Sequence, residues 1–259
     1  QAGMRQRGDV HRKGRDRGPA GRGRMLGQIA RPQRAVVELH RHGAELAVVL
    51  HRRGLDVTIV EALPQVMAPL DPEMAAYLHE ELVAQSVALV LNDPVAAFEP
   101  PSASEAAAAS TVVLRSGRRV PADIVILGLG VRPNTKLAEA AGIELGPTRG
   151  IRVDEHMRTS VPHIWAAGDA VEVKDFVTGQ PALVALAGPA NRQGRIIADN
   201  IFGLDSRYAG TLGTSILRLF SLSAACTGAS EKRLRQLGRP HEVIHLHPSS
   251  HASYYPGAH

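Results

Sequence analysis

From Arg34 onward the apolar residues fall into short runs whose spacing alternates between strand-like and helix-like. Ala35-Val36-Val37 reads as a short strand. Leu46-Ala47-Val48-Val49-Leu50, ending in His51-Arg52-Arg53-Gly54, reads as a helix with basic residues at its C-terminal end and glycine as its stop. Asp56-Val57-Thr58-Ile59-Val60 is a β-branched strand with Glu61 at its tip, so residues 34–61 predict a βαβ unit of the dinucleotide-binding kind. A second helix is announced by Asp71 as cap, Pro72 at the first helical position and Glu73 in the first turn, with Met74, Leu78 and Leu82 at helical spacing. It leads into a strand over 88–91.

Residues 100–110 are Pro, Ser and Ala apart from Glu105 and predict a loop or hairpin tip; 111–114 and 119–120 flank Ser116-Gly117 as a hairpin. A strand over 122–127 runs into Gly128-Leu129-Gly130-Val131-Arg132-Pro133-Asn134. Residues 159–170 predict a buried strand that turns sharply at Gly168 and delivers the Asp169 carboxylate at its C-terminal end, ahead of a helix. Open α/β folds bind ligands at the carboxyl ends of their strands, and an Asp there can accept hydrogen bonds from a polyhydroxylated chain. Taken alone, Gly168-Asp169 reads better as only a turn and helix cap; its neighbours reverse that reading. Residues 187–201 predict a helix, 215–222 and 241–247 strands, and 230–237 a charged helix between them. The fold class is α/β, a Rossmann-like three-layer domain followed by the start of an α+β region that stops at His259 without finishing.

Charge is distributed unevenly. The chain of 259 residues carries +5 overall, yet its first 34 residues hold nine Arg and one Lys against two Asp. The basic balance therefore belongs to residues 1–33, which have no hydrophobic period and predict a disordered segment. They also lack the stacking aromatics of a nucleic-acid arm, which argues against nucleic acid as a partner. No run of eighteen apolar residues is present, so no membrane span is expected, and no secretory signal is visible. Cys226 is the single cysteine, so no internal disulfide can form and a reducing, cytoplasmic setting is expected.

In this order, three features stand together: a βαβ unit ending in Glu61, the Gly128–Asn134 turn and the Ala-Ala-Gly-Asp turn at 166–169. With Val60-Glu61-Ala62-Leu63-Pro64-Gln65-Val66, Gly130-Val131-Arg132-Pro133-Asn134-Thr135, Ala190-Asn191-Arg192-Gln193-Gly194-Arg195, Leu212-Gly213-Thr214-Ser215 and residues 251–258, the chain resembles the pyridine nucleotide-disulfide oxidoreductases, nearest to CoA-disulfide reductases and NADH oxidases. The resemblance implies an NAD-binding domain over 34–128, the C-terminal segment of an FAD domain over 129–208, and a truncated dimerisation domain over 209–259. It implies that Asp169 bonds the ribityl hydroxyls of FAD beside Gly168, with Gly128, Leu186 and Ala187 near the flavin. For the nicotinamide cofactor it implies Gly43, Glu45, Glu61 and Gly130. A carboxylate at position 61 bonds the ribose 2′-OH and opposes a 2′-phosphate, favouring NADH over NADPH. Tyr254 and Tyr255 match tyrosines at the dimer interface and active site of the family's homodimers. Hydride would pass from NAD(P)H through FAD to a CoA-type disulfide or to oxygen.

The chain also departs from the family. Where the fold asks for Gly-x-Gly-x-x-Gly it reads Glu38-Leu39-His40-Arg41-His42-Gly43, and one glycine remains. Leu-His-Arg-His can be encoded so that the next reading frame gives Phe-Ile-Gly, the family's own loop, which would place residues before about 44 in a shifted frame. The family's first FAD-binding unit and redox cysteine are expected to be absent; Cys226 lies too far along the chain to be that cysteine and is expected to be a small core thiol. No catalytic residue is therefore assigned. No metal is assigned either: His40 and His42 lack further ligands, and the histidines at 241, 245, 247 and 251, which alternate like the exposed face of a strand, lack a completing Cys or acid. A non-catalytic nucleotide-binding remnant, or a subunit working with a separate partner chain, is the alternative expectation. The gene sequence around codon 38 is expected to show Gly-x-Gly-x-Phe-Ile-Gly in an adjacent frame; its absence from all frames contradicts the shift.

Overall fold

The computed structural model describes residues 33–39, 43–101, 109–249 and 251–257. Strand β1 (Arg34–Leu39), helix α1 (Gly43–Arg52), β2 (Asp56–Val60), α2 (Pro72–Ala84) and β3 (Ala88–Val90) follow one another, and β7 (Ile124–Gly128) completes a parallel sheet of order β3-β2-β1-β7. Gly54, at φ +83°, ends the first helix in the left-handed conformation that glycine allows. Between β3 and β7, strands β4 (Val95–Glu99), β5 (Ser110–Leu114) and β6 (Arg119–Ala122) form an antiparallel meander.

The central strands are apolar on both faces, and both faces are covered. Ala35, Val37, Val57 and Ile59 pack with Ala47, Leu78 and Leu82 of the helices, while Val36 and Val60 pack with Val112, Leu114, Val120 and Ala122 of the meander. This is the three-layer arrangement expected of a parallel sheet whose connections lie on its faces. Asp123 divides what the sequence predicts as one strand over 122–127: its backbone N–H donates to Arg34 O (2.8 Å) and its carboxylate accepts from Arg34 N (2.7 Å), so the chain leaves the meander there and enters the parallel sheet as β7.

After helix α3 (Lys136–Ala140) comes a small sheet of order β10-β9-β8, from β8 (Ile151–Arg152), β9 (Val171–Lys174) and β10 (Pro181–Leu183), followed by α4 (Ala187–Ile201). The buried strand expected over 159–170 is not formed. An isolated bridge joins Arg158 to Trp165, and the segment is a loop closed by Thr159 N to Ile164 O and Ala166 N to Met157 O. A strand needs a neighbour to satisfy its N–H and C=O groups, and among the described residues these find only that bridge and, at the far end, Ile151 N of β8, which donates to Ala170 O (2.7 Å). Asp169 accordingly precedes a strand rather than a helix.

The C-terminal region also differs from expectation. In place of the single strand expected over 215–222, residues 215–226 form a hairpin, β11 (Ser215–Leu219) and β12 (Leu222–Cys226), turning at Phe220 with φ +50°. Leu217, Leu219 and Phe220 join the same core as α1 and α2, and His51 meets Phe220 edge-on at 5.3 Å. Residues 241–247 are not a strand; with no partner strand among the described residues, their histidines tether the segment, His245 Nε2 lying 3.2 Å from Glu73 and His241 Nε2 3.6 Å from Glu231. Cys226 is half-buried, its Sγ 3.3 Å from Ser215 Oγ. No described helix is long and apolar enough to cross a membrane, and no group of three or more His, Cys, Asp or Glu among the described residues is placed to hold a metal ion. Residues 1–32, His40 and His42 lie outside the described residues.

Helix α5 (Glu231–Gln236) is capped from a distance. Ser230 occupies its N-cap without a side-chain bond, and Asp71, at the head of α2, accepts instead from Glu231 N (2.8 Å) and Lys232 N (3.0 Å). Glu81 near the other end of α2 accepts from Ser221 N and Oγ, which holds its carboxyl below the usual range. Asp71→Ala is expected to cost about 1–2 kcal/mol in urea denaturation and Ser230→Ala less than about 0.5 kcal/mol. Equal losses at the two positions would contradict this assignment of the cap.

Candidate functional site

The carboxyl ends of β1 and β7 stop together, with Leu39 opposite Gly128. From there the chain passes Gly130, at φ +83°, and folds residues 131–134 beside Asp169. Val131, Arg132, Pro133, Asn134, Asp169, Ala170, Leu183 and Ala185 line one cavity of about 230 Å³. Gly168 presents Asp169 to it at φ +91°, and a side chain there would meet no atom, so conformation rather than space requires glycine. The Gly168 N–H donates to Gln193 Oε1 at 2.7 Å, and Gln193 is only 2% exposed on α4. A buried amide thus fixes the turn, while the Asp169 carboxylate stays exposed at its rim.

A second cavity of about 300 Å³ shares the Leu183 and Ala185 wall. Glu45, from the first turn of α1, enters it with Met67, Pro69, Val184 and Leu186, and β11 closes it with Ser215, Ile216 and Leu217. Leu186 is the extended N-cap of α4 (φ −137°, ψ 139°) and no side chain caps that helix, so Ala187 opens it with N–H groups turned to the helix's positive end. The loop over 61–70 that carries Met67 is pinned internally. Glu61 is 3% exposed and its carboxylate accepts from Leu63 N (3.0 Å), and Gln65 Nε2 donates to Leu70 O (2.9 Å).

Of the residues singled out from the sequence, the structure thus brings Asp169 beside the turn that follows Gly130, and Glu45 beside Leu186, in adjoining cavities. Gly43 is the first residue of α1, with the rest of its loop, residues 40–42, outside the described residues. Glu61 is buried against its own loop. Tyr254 and Tyr255 lie against each other with their rings tilted by 37° (4.7 Å between ring centroids) at the exposed C-terminal segment and line neither cavity. Cys226 lines neither, Ser215 standing between it and the Glu45 cavity.

Several contributors were not singled out from the sequence. Gln193 lies within a quoted motif but carries no sign of which backbone group it serves. Met67 adopts φ +54°, which nothing in a methionine announces. Glu38, near the end of β1, lines neither cavity; burial pushes it above the ordinary carboxyl range, partly offset by a hydrogen bond from the Val95 backbone of the meander. A larger cavity of about 500 Å³, lined by Arg152, Asp154, Lys174 and Tyr208 among others, holds none of the singled-out residues; Arg152 is already paired there with Glu144.

The family model described as pyridine nucleotide-disulphide oxidoreductase matches residues 42–194. An NADH oxidase of Methanocaldococcus jannaschii is 35% identical over 224 residues, 86% of this chain and 48% of that protein. A coenzyme A disulfide reductase of Staphylococcus aureus is 29% identical over 209 residues, 80% of this chain and 45% of that protein. The crystal structure of reduced Bacillus anthracis CoADR-RHD superposes with a TM-score of 0.81 at 48% identity, covering 88% of this chain and 40% of that one. The chain spans about half the length of the curated relatives it matches.

Replacing Gln193 by leucine leaves the Gly168 N–H without its acceptor. The expected loss is about 1–3 kcal/mol in chemical denaturation, with faster amide exchange at Gly168. A variant of unchanged stability and exchange would remove Gln193 as the support of this turn.

Proposed function

The chain belongs to the pyridine nucleotide-disulphide oxidoreductase family, a family of FAD-dependent oxidoreductases, and on that premise we propose that the two adjoining cavities hold the reacting ends of its cofactors. The observation that carries this is the shared wall: Leu183 and Ala185 separate the Asp169 cavity from the Glu45 cavity, so a flavin held by one adjoins a nicotinamide held by the other. Hydride transfer requires such adjacency.

The residues present fit the flavin and ribityl end of FAD. An exposed carboxylate beside a positive-φ glycine accepts hydrogen bonds from a sugar chain, and on the Glu45 side of the shared wall an uncapped helix start at Leu186 and Ala187 offers N–H groups to an electron-rich ring reaching that wall. Gly128 ends the strand from which the Asp169-facing turn departs. When bound, FAD supplies the hydride-accepting ring between nicotinamide and the final acceptor. Glu45, Gly43 and Gly130 are assigned to the nicotinamide cofactor, and Glu61 to discrimination of its ribose. A carboxylate at position 61 would oppose a 2′-phosphate, and on that ground NADH is proposed as the donor in preference to NADPH.

The acceptor is proposed to be a disulfide of the coenzyme A kind or oxygen, and the working form a homodimer. Residues 34–128 are assigned to the NAD module, 129–208 to the FAD module and 209–259 to dimerisation. One observation favours a second reading: the chain's only cysteine, Cys226, sits in the hairpin core rather than in either cavity. On that reading the chain binds nucleotide and a separate polypeptide supplies the thiol.

Asp169→Ala is expected to weaken FAD binding about tenfold, the effect of a lost charge-assisted hydrogen bond, while Asp199→Ala, on the far half of α4, changes it less than about twofold. Flavin fluorescence titration measures both. Equal affinities for wild type and Asp169→Ala contradict the FAD assignment. The 259-residue chain supplied with FAD, NADH and CoA disulfide is expected to show no turnover, and restoration by a co-purified chain would select the second reading.

A further inference from the structure

We propose that His79 is a positioning residue that sets one wall of the Glu45 cavity, through a hydrogen bond that only its neutral form accepts. The functional part of this rests on that cavity being the nicotinamide site.

Val66 is fully buried in the loop over 61–70, where no neighbouring strand takes its N–H. A buried N–H requires an acceptor, and it finds one in His79 Nε2 at 3.1 Å, across from α2. Because Val66 donates, Nε2 carries no proton and the ring is the neutral Nδ1–H tautomer. The next residue, Met67, is held at φ +54°, a conformation that side chains other than Gly, Asn and Asp rarely adopt. It is over-determined from both sides: Val66 is tied to His79, and Met67 O accepts from Leu70 N (2.9 Å) and Gln65 Nε2 (3.4 Å). Met67 and Pro69 face the cavity that holds Glu45 and Leu186.

Protonation of Nε2 would set two donors head to head, and the Val66 N–H would lose its acceptor. Burial lowers the His79 pKa below its usual 6.5. The charged groups on the elements packed against it are Glu73, Glu80 and Glu81 of α2, Glu61 at the head of the loop and Arg218 of β11. Glu73 meets His245, Glu81 meets Ser221, Glu61 meets Leu63 N and Arg218 meets Phe220 O. A histidine depressed in the folded state contributes its stability fully above pH 6.5, and that contribution is lost as pH falls through the folded value. The wall is therefore ordered near neutrality and loosens in acid.

The test follows the Val66 amide and the Met67 methyl by NMR from about pH 8 to about pH 5, in wild type, His79→Gln and His79→Leu, without ligand and then with NADH. In wild type the two signals are expected to move together with a midpoint below 6.5. In His79→Gln, whose carboxamide oxygen accepts the same N–H, they keep their high-pH positions and do not titrate. His79→Leu loses about tenfold in Val66 amide protection and in NADH affinity, and His79→Gln stays within about twofold of wild type. Fixed signals in wild type, or the same titration in His79→Gln, overturn the proposal even if His79→Leu fails to fold. Titration as expected, with NADH moving no signal of this cavity, upholds the clamp and removes the nicotinamide assignment instead.

Discussion

Burial of β1 and β2 on both faces is the constraint from which the rest of the structure follows. Ala35, Val37, Val57 and Ile59 point to one side and Val36 and Val60 to the other, all at most 3% exposed. At about 25 cal/mol per Å² of apolar surface removed from water, neither face can be left open. One side recruits α1, α2 and the C-terminal hairpin, and the other recruits the β4–β6 meander. Once the sheet is closed in this way, its strands deliver their carboxyl ends to one edge. The turn after Gly128 and the start of α1 lie at that edge, and there the cavities open.

Long-range polar contacts complete what packing begins. Asp71 and Glu81 at the two ends of α2 serve backbone and hydroxyl donors of the C-terminal region, so the hairpin that closes the Glu45 cavity is held by the helix beneath it. Gln193 does the same for the Gly168 turn. Each of these side chains is polar, at least partly withdrawn from water or engaged with backbone, and tied to a segment that packing alone would not fix in register.

How much of this was legible in the sequence depended on whether the signal was local. The βαβ unit, α2 with Pro72 at its start, and α4 over 187–201 were visible because periodicity and capping residues are written in neighbouring positions. The strand expected over 159–170 failed because its apolar run says nothing of whether a partner strand exists. The strand over 241–247 failed for the same reason. At the site, Asp169, Glu45 and Leu186 were named as candidates from the motifs of a family resemblance, and their placement in adjoining cavities is a fact of topology. Gln193, Met67 and His79 were invisible because each acts on a backbone group far off in sequence or through an unusual φ.

The central claim is that one cavity receives flavin and its neighbour nicotinamide across the Leu183–Ala185 wall. Amide hydrogen exchange measured by mass spectrometry on the chain, with saturating FAD and NADH added separately, tests it most directly. FAD is expected to protect residues 131–134 and 168–170, NADH to protect 43–48 and 63–70, and both to protect 183–187. Protection confined to the cavity of Arg152, Asp154 and Tyr208, or none with either cofactor, would contradict the account.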